Sequence, residues 1–118
     1  MTDNLIQNLA DLATYVPPGH SGTENARLVL KDETGGSFEM VHGTLAPGGH
    51  AARHSHADAF QAMYVLGGAA EVALGDAAPR RCGAGDVVRI PPGLEHEVTS
   101  LGPEPLRLII VYSPPIST

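Results

Sequence analysis

An all-β sandwich or barrel is the fold class that this 118-residue chain predicts, on three observations. Its apolar runs are short, and turn residues interrupt them at intervals of roughly ten residues. The 14 Gly and 10 Pro make up 24 of the 118 residues and are spread along the chain rather than gathered in one segment; that pattern means tight turns between short strands, not a disordered tail. Helical periodicity is confined to one N-terminal stretch. No repeat with a period of about 20–50 residues is visible, so propellers and solenoids are excluded. No linker divides the sequence, and residues 1–118 are read as one domain.

Leu5, Ile6, Leu9 and Leu12 form a rough helical stripe between Asp3 and Val16, with Asp3 placed to cap it. The same residues also suit a short edge strand and a turn. The expectation is at most a short helix, one or two turns near residues 8–13, ended by Pro17-Pro18-Gly19. After a loop at His20-Ser21-Gly22, strands take over. Residues 26–30 form the first, Thr34-Gly35-Gly36 turns the chain, and residues 37–45 form the next. Ala46-Pro47-Gly48-Gly49 predicts a sharp turn into a strand at 51–56. Residues 61–66, 70–74, 80–82, 87–90, 95–100 and 106–112 follow as strands, each bounded by Gly, Pro or Asp.

Composition removes several function classes. Thirteen acidic against seven basic residues give a net charge of -6, and Arg80-Arg81 is a scattered pair rather than a stripe. A phosphate backbone calls for a basic patch, so nucleic acid is not an expected partner. No apolar run reaches the roughly 18 residues of a membrane-spanning helix, and no basic amphipathic stretch suits a membrane surface. The start, Met1-Thr2-Asp3-Asn4, lacks the basic and apolar segments of a signal peptide. The single Cys82 rules out an internal disulfide and fits a reducing compartment. A cytoplasmic protein is the expectation.

The stretch His54-Ser55-His56-Ala57-Asp58-Ala59-Phe60-Gln61 carries the chemistry. Residues i and i+2 of a strand point to one face, so His54 and His56 can aim both imidazoles at one point. Gln61 opens the next strand after four residues and can fold back beside them. A third histidine, His96, follows the turn Pro91-Pro92-Gly93; spacing alone does not place it across the barrel. Imidazole nitrogens bind divalent first-row metals, and three of them leave coordination positions open.

These residues stand in a pattern that resembles the cupin family. The first cupin motif is Gly, five residues, His-x-His, three or four residues, Glu, six residues, Gly. It is matched by Gly48, His54-Ser55-His56, Gln61 and Gly68. The second is Gly, five residues, Pro-x-Gly, two residues, His, three residues, Asn. It is matched by Gly85, Pro91-Pro92-Gly93, His96 and, in place of Asn, Ser100. The motifs cover residues 48–100, nearly half the chain. The resemblance implies a small jelly-roll barrel of antiparallel strands, a homodimer, and one metal ion held by His54, His56, Gln61 and His96. It also implies an enzyme such as a dioxygenase, isomerase, lyase or decarboxylase. A binding or sensing module that keeps the pocket without turnover is the alternative. Iron, manganese or nickel are favoured, with zinc or cobalt also compatible.

Gln61 stands where the family has a carboxylate. An amide offers a neutral oxygen and takes up no proton. Three imidazoles and an amide leave the dication's charge uncompensated, which favours an anionic substrate that chelates the metal through two oxygens, as an enolate, hydroxy-ketone or carboxylate. A mechanism that uses the ligand carboxylate as base is closed to Gln61, and another group must serve.

Strand parity adds a pocket wall. Met63 and Val65 share a face with Gln61, and Val98 shares one with His96, so a small-molecule pocket lined by Met63, Val65 and Val98 is expected. Tyr64 falls on the opposite face. His42, His50 and His20 are read as surface residues, the last because it sits in a Pro/Gly loop, and Cys82 as a buried or half-buried thiol. Arg89 and Arg107 are read as surface ion-pair partners before substrate anchors. The run Leu108-Ile109-Ile110-Val111 is apolar on both faces, which suits a barrel strand that also meets a partner chain.

Overall fold

One long strand carries the architecture. In the computed structural model, which describes residues 5–117, β3 runs from Glu39 to His54. Its first half, Glu39 to Leu45, pairs with β9 (Leu106–Ser113), and its second half, around His50 to His54, pairs with β8 (His96–Ser100). The sequence predicts a sharp turn between these halves. The strand instead bends and continues. Gly48 takes a positive φ of 79°. A Cβ on Gly49 would lie 2.8 Å from Ala46 O and 3.0 Å from Gly22 O. Glycine therefore lets β3 change partners by bending against β2 (His20–Val29), where the register also shifts.

Around β3 the remaining strands are β1 (Thr14–Tyr15), β4 (Phe60–Gly67), β5 (Ala69–Leu74), β6 (Arg80–Gly83) and β7 (Val87–Ile90). The order is β6-β5-β8-β3-β9-β4-β7, with β2 also on β3 and β1 on β2. Every pairing is antiparallel. The sheet curls into the expected small all-β barrel. Its interior is filled by alternate residues, among them Val41, Leu45, Val65, Ile90, Leu106 and Leu108. Each such side chain contributes about 1.5–3 kcal/mol by leaving water. On β4 the alternation is clean: Gln61, Met63 and Val65 are buried, while Phe60, Tyr64 and Leu66 are exposed.

The short N-terminal helix is a 3-10 turn, Leu9–Asp11, whose Asn8 side chain accepts from Ala10 N at 2.9 Å; the Asp3 cap lies outside the described residues. Two expectations shift. The segment His20-Ser21-Gly22 is the start of β2, not a loop. His42 is not a surface residue. Val41 and Leu45 do face the barrel, but His42 is enclosed on the outer face, with β2 and β9 pairing on either side. Arg107 donates to its Nε2 at 3.3 Å, and burial followed by the Arg107 charge pushes its pKa down. Among the described residues no helix is long and apolar enough to cross a membrane.

Candidate metal centre

His54 ends β3 and His96 begins β8, and the two are direct cross-strand partners. That register answers what spacing left open: the ring centroids lie 4.3 Å apart. His56 lies beyond the end of β3, so strand parity is not what aims it. The loop does so, because Gly93 N donates to His56 O at 2.9 Å and ties it to the Pro91–Gly93 turn that precedes His96. The His56 ring sits 4.9 Å from that of His54 and 5.4 Å from that of His96. One ligand atom from each histidine falls within 4.8 Å of the others, close to the roughly 4 Å spanned by two metal–nitrogen bonds of about 2.1 Å.

Hydrogen bonds set which nitrogen is free. His54 Nδ1 lies 2.6 Å from Ala52 O, and His96 Nδ1 lies 3.0 Å from Leu94 O. A carbonyl only accepts, so each Nδ1 carries the proton and each Nε2 presents a lone pair. Burial, then the neighbouring His54 and His96, pushes the pKa of His56 down to about 4. Burial is also the largest cause lowering that of His96. Both rings are therefore neutral near pH 7, the form that binds metal.

Gln61 is 4% exposed and sits on β4 between Ile90 of β7 and Tyr112 of β9. Its Oε1, His56 Nε2 and His96 Nε2 are all buried with no hydrogen-bond partner among the described residues. Leaving one such acceptor unpaired costs on the order of 1–3 kcal/mol, so three in one region call for a common partner. A divalent cation fits: it bonds lone pairs and needs no donor. Gln61, His54 and His96 line one small cavity of about 30 Å³, room for an ion or a water.

Met63 and Val98 line that cavity as parity predicts. Val65 is 2% exposed in the core and is not part of the lining. Outside lies a vestibule of about 590 Å³, with His54 and His56 on its inner wall. Three residues of this region escaped the sequence reading. His20, expected at the surface, is half-buried and opposite Ala51, its ring 6.4 Å from that of His54. Burial, then His54 and His50, lowers its pKa. Tyr112 packs edge-on against His56 at 5.5 Å, and its pKa is raised chiefly by burial. Its parity with Leu106, Leu108 and Ile110 was the available signal. Asn25, 4% exposed, lines both cavities; its placement depends on the β2–β3 register, which has no local signature.

The other candidates stand apart. His50 pairs with Glu97 and is half-exposed. Arg89 and Arg107 are exposed and form no ion pair with an acid among the described residues, contrary to expectation. Cys82 is half-buried as expected, its thiol pKa raised by burial.

Comparison with known proteins places this geometry. The family model described as Cupin domain matches residues 41–112. A search of curated proteins finds no match. Among solved structures, KdgF from a Halomonas species is 25% identical with a TM-score of 0.76, over 91% of this chain and 92% of that one. A protein described as a predicted oxalate decarboxylase from Thermotoga maritima is 21% identical, TM-score 0.84, over 92% and 97%. The polyketide cyclase RemF from Streptomyces resistomycificus is 22% identical, TM-score 0.81, over 92% and 78%.

Proposed function

We propose a function from one premise: this chain belongs to the cupin domain family. The reading is a mononuclear metal-dependent enzyme acting on a small oxygenated molecule, an enol, hydroxy-ketone or carboxylate that chelates the metal. Dioxygenase, isomerase or lyase chemistry suits it. Iron, manganese or nickel is the preferred ion, with zinc or cobalt compatible. The supporting observation is the set of three buried acceptors, His56 Nε2, His96 Nε2 and Gln61 Oε1, that have no partner among the described residues. The ligands would be His54, His56, His96 and Gln61. The metal, when bound, supplies Lewis acidity to the chelated oxygens. The chain supplies the rest. Carbonyls of residues 52 and 94 orient two of the imidazoles. Met63 and Val98 exclude water from one side, and Gln61 adds no charge, so an anionic chelator is attracted rather than opposed.

Gln61→Glu tests that last point. The added carboxylate is expected to tighten divalent metal by about tenfold or more and to weaken an anionic bidentate probe such as oxalate by a similar factor, since the two charges then compete at short range. Metal uptake by chelator-stripped protein and titration of the Co(II)-loaded form measure both. Oxygen consumption across a panel of small enols and 2-hydroxy ketones separates dioxygenase from redox-neutral chemistry. Failure to take up metal would remove the enzyme reading.

One observation favours a non-catalytic binding or sensing module as the second reading. Glu39, the carboxylate on the vestibule wall, is 2% exposed and already accepts from Ser117 N and Oγ. A metal-loaded protein that binds a ligand and returns it unchanged would select this alternative. A homodimer is also proposed. Phe60, Tyr64, Leu66 and Val87 leave large apolar side chains exposed on β4 and β7, a face suited to a second copy. Light scattering is expected to give twice the chain's 12.3 kDa, and Tyr64→Glu is expected to return the monomer mass.

A further inference from the structure

We propose that Arg27 recognises the far end of the substrate, which is therefore a small dianion: one end chelates the metal and the other presents a carboxylate to Arg27. This deepens the reading of the histidine cluster as a metal site and rests on it. Parity on β2 places Thr23 and Asn25, both 4% exposed, on the same face as Arg27. Asn25 lines the inner cavity and the vestibule, and the exposed Arg27 lines the vestibule.

The Arg27 guanidinium lies over the Tyr15 ring, 4.0 Å from its centroid. Tyr15 is the cross-strand partner of Asn25, so the sheet itself holds the ring beside Arg27. The Tyr15 ring restrains the guanidinium, which makes no ion pair among the described residues; a guanidinium held in this way offers a carboxylate its N–H fork. Thirteen acidic residues are present in the chain, yet Arg27 forms no ion pair among the described residues. The nearby carboxylate on the wall, Glu39, is engaged by Ser117. Among the described residues Arg27 is the one Lys or Arg lining the vestibule. A restrained cation shares a chamber of about 590 Å³ with the histidines, a volume suited to a metabolite-sized ligand. An acid with a second charged end satisfies both poles.

The test uses the Co(II)-loaded full chain and four probes: 2-oxoglutarate against 2-oxopentanoate, and 2-oxoadipate against 2-oxohexanoate. Each pair shares its chelating end and carbon count and differs in the distal carboxylate. At least one diacid is expected to bind about tenfold or more tighter than its partner, read from the Co(II) absorption, and added salt should narrow that gap. Arg27→Gln is expected to abolish the preference while metal stoichiometry and monoacid affinity stay unchanged. Arg27→Lys should keep part of it, because the charge survives and the fork does not. A purely structural role for Arg27 would shift both acids alike. Equal affinities in the wild type, or a preference that survives Arg27→Gln, would overturn the proposal with the metal site intact. Absence of Co(II) uptake would overturn the metal reading and this inference with it.

Discussion

His96→Ala is expected to lose at least about 100-fold in divalent metal affinity, beyond the 10–100-fold that removal of a ligand's supporting partner costs. His96 is 1% exposed, its Nε2 has no partner among the described residues, and its backbone is locked opposite His54. No neighbouring side chain can replace it without moving a strand. His20→Ala and His50→Ala are the controls. The His20 ring lies 6.4 Å from that of His54, outside the 4.3–5.4 Å spacing within the cluster, and His50 is held by Glu97. Both are expected to retain metal with affinity changed by less than about threefold, which is under 1 kcal/mol. Competition against a chromophoric chelator measures all three. Undiminished binding in His96→Ala would move the site away from the cluster.

Gly68→Ala is expected to destabilise the fold by about 3 kcal/mol or more, measured as the loss in urea unfolding free energy. Gly68 joins β4 to β5 at a φ of 81°, where a side chain adds roughly 1–2 kcal/mol of strain. A Cβ there would also lie 2.5 Å from Pro105 O and 2.8 Å from Leu106 Cα. Both are backbone atoms at the start of β9, and Leu106 is 0% exposed, so neither can swing aside. Relief requires β4 and β9 to separate, and these strands carry Gln61 and Tyr112 as direct partners. A weakened metal site is therefore expected alongside the lost stability. Gly48→Ala isolates the conformational part: its φ is 79° but nothing lies within 4 Å of the added Cβ. It is expected to cost only about 1–2 kcal/mol.

Much of the barrel was legible because its signals are local. Strand parity on β4 separates Gln61 and Met63 from Tyr64 without any knowledge of partners. Turn residues mark nearly every strand end. Local signals failed at three places for identifiable reasons. At Ala46–Gly49 the turn residues suggested the end of a strand, because a turn and a bend use the same residues. At His56 parity supplied a plausible direction from a strand that had already ended. At Val65 parity gave the right face but not the depth, and the side chain lies in the core rather than the cavity lining.

By itself, the sequence determined the all-β class and the alternation that builds the core, since both act through neighbouring backbone, while His54, His56, Gln61 and His96 became candidate ligands through the resemblance of their motifs to the cupin pattern. Tertiary structure alone decided what joins them. The register of β3 with β8 sets His54 against His96. The β4–β9 pairing sets Gln61 beside Tyr112, and the β1–β2–β3 pairings bring His20, Asn25 and Arg27 to the site. Cross-strand register arises from packing many residues together, so no short stretch of chain encodes it.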